Sequence, residues 1–343
     1  MKVRNQYIAI PLNDNTDLCV SVDSYVARGK RHERDHTVCQ DYAATGVISD
    51  GCPTLVVADG CSASLGSELG AMLNCHMWMT FASTHRMRYP DMTKWASIWK
   101  FNYIRSVEDY RSGGLMDDGE GSIFDATMLS AMFIPSMNSV ILTVQGDGAW
   151  LAVYEKSNGE LVYCFDYLTW KTGMPPYPSY ALDNDRMTAY WTHSQKLLSG
   201  RAEGVWTASE TEGFLKVTSS VALSDVLPVG ALTDNFGLVI ELPRLRDEPD
   251  GQWKLKTFSV FTDGVLDIRH ENELPLYINY PAGLVKDLTD YKSTAGDFQF
   301  RRCRAFFKGL AVDGVFPEDD FSVATMLFEE RRLPDGDDNS GNA

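Results

Sequence analysis

No two cysteines in this chain are spaced as C-x-x-C, so zinc knuckles and thioredoxin-type redox chemistry have no footing in it. The seven cysteines are odd in number and irregular in spacing, which does not suggest a disulfide framework. Residues 1–10 carry two basic residues but no apolar centre, so a secretion signal is not expected and a reducing, cytoplasmic setting is. Long apolar runs are also missing. None approaches the roughly 20 residues that span a bilayer, so no membrane association is expected. Basic residues are scarce: 31 Lys and Arg stand against 47 Asp and Glu, a formal net charge of -16. Such a chain repels nucleic acid and anionic membrane, and its densest basic group is only Arg301, Arg302 and Arg304. There is no GxGxxG, no GxxxxGK[ST], no strand–helix alternation of the βαβ kind and no HRD arrangement. Dinucleotide-binding, P-loop and kinase readings therefore fall away.

What is present is the composition of a folded chain, 44% apolar and 23% charged over 343 residues. No fixed-period repeat and no long linker divides it, so residues 1–330 read as one domain. Residues 331–343, polar and rich in Gly and Asp, read as a disordered tail. Short apolar or β-branched runs predict strands at Cys19–Val26, Thr54–Ala58, Ala126–Phe133, Ser139–Val144, Trp150–Tyr154, Gly159–Phe165, Gly204–Ala208, Phe236–Leu242, Trp253–Thr262 and Phe321–Phe328. Gln145-Gly146-Asp147-Gly148 reads as the turn of a hairpin between two of them. Helical spacing of Leu69, Met72, Leu73, His76 and Met77 predicts a helix capped by Ser64 or Ser67, and Trp95–Val107, Pro281–Leu288 and Phe300–Leu310 predict three more. Many strands with few helices imply a layered sheet-and-helix domain.

Five separated acidic sites share a local form: Asp41 after Gln40, Asp59 before Gly60, Asp147 before Gly148, Asp263 before Gly264, and Asp319 beside Asp320. Asp-Gly is a common turn dipeptide, which accounts for any one of them. Carboxylates at like ends of neighbouring strands can instead converge, and converged carboxylates repel unless cations neutralise them. An oxygen-only cluster suits Mg²⁺ or Mn²⁺.

Six segments in order resemble the motifs of the metal-dependent serine/threonine protein phosphatases of the 2C type, particularly the bacterial branch. They are Gln40-Asp41, Thr54–Gly60 (TLVVADG), Phe124–Leu129 (FDATML), Val144–Trp150 (VQGDGAW), Ser259–Asp267 (SVFTDGVLD) and Glu318–Ala324 (EDDFSVA). The resemblance implies an α+β fold, a four-layer α-β-β-α sandwich with two central antiparallel sheets flanked by helices. It implies hydrolysis of phosphoserine and phosphothreonine in a phosphorylated protein substrate by a metal-activated water. Two Mg²⁺ or Mn²⁺ ions are implied, with room for a weaker third. By the same resemblance Asp59 bridges the two ions, Gly60 lends a carbonyl, Asp263 and Asp319 complete the second ion's shell, and Asp41 holds metal-bound water. Asp147 and Asp267 resemble ligands of the third ion, and Asp320 a neighbouring structural carboxylate. His32 resembles a histidine of the bacterial branch that donates to phosphate or protonates the leaving alkoxide. Many family members grip phosphate with an Arg five residues before the first-motif Asp. Here that position is His36, and Arg28, Arg31 and Arg34 are the nearby guanidinium candidates. Two other readings stay open beside this one: a catalytically weak phosphatase-like module that binds phosphoproteins, and a small-molecule phosphatase. Cys61, next to Gly60, reads as a packed thiol. The oligomeric state is not legible.

Overall fold

Met128–Ile134 (β5) and Ser139–Gln145 (β6) are buried at every position, which requires a sheet covered on both faces. Alternate residues go to different cores. Leu129, Ala131 and Phe133 of β5 join one cluster with Val140, Leu142 and Val144 of β6. Met128, Met132 and Ile134 join another with Ile141. The same period of two divides Gly148–Glu155 (β7): Trp150, Ala152 and Tyr154 lie in the first cluster, while Ala149, Leu151 and Val153 lie in a third. Three cores separate four layers.

In this computed structural model the described residues are 6–13, 15–48, 51–64, 66–84, 92–113, 123–170, 175–183, 185–186, 188, 197–206, 216–221, 238–271, 273–276 and 281–332. Within them the remaining strands are Gln6–Asn13 (β1), Thr16–Ala27 (β2), Asp41–Val47 (β3), Pro53–Asp59 (β4), Leu161–Trp170 (β8), Leu197–Trp206 (β9), Lys216–Val221 (β10), Leu238–Pro243 (β11), Leu245–Glu248 (β12), Gly251–Phe261 (β13), Ile268–His270 (β14), Val315–Pro317 (β15) and Phe321–Arg332 (β16). One antiparallel sheet runs β1-β2-β16-β13-β7-β8-β9-β10, with β12 also on β13; the other runs β11-β6-β5-β4-β3. Between them lies the first core, where Phe133 and Phe328 meet edge to face at 5.1 Å. Helices Ser67–Thr84 (α2) and Met92–Ser112 (α3) cover the five-stranded sheet, and Pro281–Thr289 (α4) and Phe298–Val312 (α5) cover the other. Lys30–Arg34 (α1) is a single turn between β2 and β3. The α-β-β-α sandwich is as expected. No helix among the described residues is long and apolar enough to cross a membrane.

Three expectations need correction. The β6–β7 segment is not a hairpin: β6 belongs to one sheet and β7 to the other, so Gly146-Asp147 carries the chain between layers. Gly148 permits this with φ of 136°, and a Cβ there would meet the Phe261 carbonyl oxygen at 2.6 Å. The expected stripe of α2 is also displaced. Leu69 and His76 are exposed, while Gly70, Ala71, Asn74, Cys75, Trp78, Phe81 and Ala82 are buried. Small residues let the helix lie close to the sheet, and Trp78 and Phe81 fill the gap to Trp99 of α3, each 5.1 Å from its ring. Finally, Arg331 and Arg332, assigned to the tail by composition, pair with Asp17 and Thr16 in β16; residues 333–343 lie outside the described residues.

Asp23 of β2 shows how the helical layer is pinned. Its buried Oδ2 accepts the backbone N–H of Gln299 (2.7 Å) and of Phe300 (3.4 Å), capping α5 from another element. Asp23→Ala is expected to cost about 1–2 kcal/mol in urea unfolding, with Asp23→Asn closer to the parent because its carbonyl still accepts. Equal losses in both would reject the capping role.

Candidate active site

Each acid of the motif series sits at a strand end for a local reason. In β3–β4 the register places Asp41 opposite Asp59. Thr127 holds Asp59 from the far side: its N–H donates to the Asp59 carbonyl (2.8 Å), and its Oγ1 accepts the Asp59 N–H (3.3 Å). Gly60 is buried, donates its N–H to the Gln40 carbonyl (3.1 Å) and bridges to Ala126. Asp263 opens a 3₁₀ turn, Asp263–Asp267, directly after β13. Gly264 must be glycine because a Cβ would stand 1.8 Å from the Asp320 carbonyl oxygen. That close approach draws the start of β16, with Asp319, against the same end of the molecule. Asp147 arrives on the crossing between the sheets.

These acids act on one another. Burial pushes Asp59 well above the usual carboxylate range, and Asp41, Asp263 and Asp319 add to the rise. Burial does the same to Asp41, against a hydrogen bond from Thr262, whose Oγ1 donates to Asp41 Oδ2 at 2.6 Å. Asp41 and Asp59, opposite each other across β3 and β4, also act directly on one another. Burial, then Asp319 and Asp267, push Asp263 up to about 7. Asp147 is raised well above its usual value by burial, then by Asp263 and Asp319. Asp267 is raised by burial, partly offset by Arg269, whose Nε lies 3.1 Å from Asp267 Oδ1.

Asp41, Asp59, Asp147, Asp263 and Asp319 are thus brought into mutual electrostatic reach, with Asp267 at their margin. No three His, Cys, Asp or Glu side chains close around a single point among the described residues. The donor set nevertheless fits a hard divalent cation. It is all oxygen and largely buried, and among the described residues its repulsion is eased by the Thr262 hydroxyl and by one guanidinium. That guanidinium is Arg31, whose Nη2 lies 2.7 Å from Asp319 Oδ2 and whose charge also lowers Asp263.

The other basic candidates lie elsewhere. Arg34 pairs with Glu318 at 2.9 Å, and Arg28 donates to the Thr37 carbonyl at 3.3 Å. His36 is exposed, in a left-handed conformation (φ 57°) at the turn after α1. His32 is buried. Its Nδ1 lies 2.8 Å from Asp320 Oδ2, a contact distance without hydrogen-bond alignment. Asp320 also accepts the N–H of Gly29 (2.7 Å) and of Gln40 (2.6 Å), so it ties α1 and the first motif to the last. Sequence reasoning missed Thr262 and, although it marks the Pro175–Tyr180 stretch as a border of the cleft, did not single out Tyr177 within it. A Thr before an Asp-Gly carries no local signal. Tyr177 lies on a proline-rich stretch, with its hydroxyl against Cys61; burial, then Cys61, Asp59 and Asp147, hold that hydroxyl far above the ordinary phenol value.

No curated protein matches the chain. Solved structures that resemble it include a serine/threonine phosphatase of S. agalactiae (12% identity, 90% of this chain and 100% of that one, TM-score 0.46). Serine/threonine phosphatase Stp1 from Staphylococcus aureus is 10% identical over 90% of this chain and 94% of its own, with a TM-score of 0.46. The catalytic domain of PstP, solved with two manganese ions, is 12% identical over 91% and 99%, with a TM-score of 0.42. Likenesses this distant carry no functional weight. The sequence match does: residues 28–167 fit the model of the family described as Protein phosphatase 2C. That span holds the first four motif segments, and the fold brings the last two, with Asp263 and Asp319, to the same cluster. Residues 28–167, less than half of the chain, are thus similar to the protein phosphatase 2C family.

Proposed function

We propose that this protein hydrolyses phosphoserine and phosphothreonine monoesters in proteins, with Mg²⁺ or Mn²⁺ held by Asp59, Gly60, Asp263 and Asp319, water oriented by Asp41, and Asp147 and Asp267 at a weaker site. The observation that carries the reading is the convergence of buried, mutually repelling carboxylates from both sheets. Bound cations supply an activated water and neutralise charge on the phosphate oxygens. The protein supplies the rest. Arg31, already at the cluster, can move from Asp319 to a phosphate oxygen, where its fork of donors fits two oxygens. His32, oriented through Nδ1 by Asp320, serves as the proton donor to the departing alkoxide. Arg28, Arg34 and His36, on and beside α1, add positive charge to the segment that carries Arg31.

The test is hydrolysis of a phosphothreonine peptide panel beside p-nitrophenyl phosphate, with and without Mn²⁺. Cation-dependent release from the peptides is expected. Release only from the aryl ester would redirect the assignment to a small-molecule phosphatase. Phosphopeptide binding without turnover would identify a binding module.

His32→Gln separates proton donation from binding. A threonine alkoxide needs a proton to leave and a nitrophenolate does not, so the loss in kcat is expected to be about 10²-fold on phosphothreonine and small on the aryl ester. Equal losses on both would reject the acid role.

A further inference from the structure

Asp125 is only 2% exposed and stands two residues before Thr127, which braces Asp59. Every oxygen of its carboxylate is occupied. Oδ1 accepts Ser179 Oγ (2.6 Å) and Arg186 Nη1 (3.0 Å); Oδ2 accepts Arg186 Nη2 (2.6 Å) and Ser64 Oγ (3.2 Å). The Asp125 carbonyl also accepts the N–H of Cys61 (2.8 Å). A two-pronged, largely desolvated Arg–carboxylate pair of this kind fixes orientation as well as distance. The guanidinium of Arg186 in turn lies over the ring of Tyr180 at 4.4 Å, and Tyr180 meets Tyr177 edge to face at 5.5 Å. Tyr177 ends the series, its hydroxyl at Cys61 and within reach of Asp59 and Asp147. A continuous set of contacts therefore runs from the floor of the acid cluster, through Arg186, back to a phenol at the cluster's edge.

We propose that Tyr177 is a substrate-contacting residue that donates its hydroxyl hydrogen to a phosphoryl oxygen, and that the Asp125–Arg186 pair is the positioning clamp that sets it there. The proposal rests on the phosphatase reading above. The carboxylates of the cluster are acceptors, and the Tyr177 phenol is a neutral donor close enough for Asp59 and Asp147 to act on it. A phenol is a donor at neutral pH and adds no charge. Nothing local in Pro175–Leu182 would hold a ring at that position; the clamp does, through a 3₁₀ turn, Pro178–Leu182, whose Ser179 also binds Asp125.

The experiment compares the full chain with Tyr177→Phe, Arg186→Gln and the double variant, all with Mn²⁺. It reads KM and kcat on p-nitrophenyl phosphate, and the affinity for inorganic phosphate by calorimetry. Tyr177→Phe is expected to raise KM and weaken phosphate binding about tenfold, with kcat changed less and the melting midpoint unmoved. Arg186→Gln is expected to show the same loss, and the double variant no further loss, because both changes remove one interaction. Arg186 is 36% exposed at its side chain, so millimolar ethylguanidinium should restore part of the phosphate affinity of Arg186→Gln, which a purely structural defect would not allow. Unchanged KM and phosphate affinity in Tyr177→Phe, with an active parent, would overturn the contact and leave the phosphatase reading standing. Additive losses would overturn the clamp. A parent that neither hydrolyses the ester nor binds phosphate would overturn both proposals together.

Discussion

Asp59→Asn is expected to lower cation-dependent turnover by more than about a hundredfold and, at the same time, to raise the melting midpoint of the cation-free protein. Loss of a residue that merely orients a metal ligand already costs about 10–100-fold in affinity or activity, and a ligand shared by two cations should exceed that. The stability change has the opposite sign for a simple reason. Asp59 is buried against Asp41, Asp263 and Asp319, and without cations the charged form of each is opposed by the others. An asparagine there is neutral, and its amide can donate to the neighbouring Asp41 where the carboxylate only repels it. Kinetics beside thermal melts in chelator would show both movements. Undiminished turnover would remove Asp59 from the chemistry, and a fall in both quantities would mark it as structural.

The second large effect is a pH dependence of the cation-free protein. Asp41, Asp59, Asp147 and Asp263 all hold protons more tightly folded than unfolded. The native state thus binds more protons than the unfolded chain at any pH above the ordinary Asp value. Stability must then fall as pH rises, beginning near the ordinary value of 3.8 and continuing through about 7 for Asp263. One unit of pKa difference corresponds to about 1.4 kcal/mol, so the loss for the cluster by pH 8 is on the order of a few kcal/mol. Urea unfolding in chelator across this range should show it. Millimolar Mg²⁺ or Mn²⁺ should return most of the loss at the alkaline end and little at the acid end, where protons already occupy the oxygens. A flat profile, or equal cation stabilisation at both ends, would mean that the acids do not share one site.

Asp59 and Asp263 of this candidate site stand out in the sequence because they follow apolar β-branched runs and precede glycines, while their grouping with the other acids was implied by the resemblance. TLVVADG and SVFTDGVLD mark both a strand and its abrupt end. The same runs implied a layered sheet-and-helix domain, and the resemblance to the phosphatase motifs implied the sandwich. What was not legible depends on partners far along the chain. Gly146-Asp147-Gly148 has the chemistry of a hairpin turn, and only the pairing of β7 with β13 and β8 shows that the chain changes sheets there. The buried face of α2 consists of small residues, whose burial no hydrophobic period reports. Asp125 and Arg186 are 61 residues apart, and neither stretch carries a cue to the other. His32 was read as a group facing phosphate; its partner Asp320, at the other end of the chain, is what turns Nδ1 away.

The placement of β16 has a consequence for biosynthesis. It is the last of the described strands, yet it lies inside its sheet, between β2 and β13, and Asp319 and Asp320 sit at its entrance. On a ribosome, Asp41 and Asp59 emerge together and can pair early. The sheet opposite them keeps a vacant lane until β16 is released. Until that strand inserts, α1 has no Asp320 to anchor it and Arg31 no Asp319 to meet. A nascent chain therefore carries an incomplete acidic site until β16 emerges, and the competent arrangement comes into being in a single event, when the keystone strand enters.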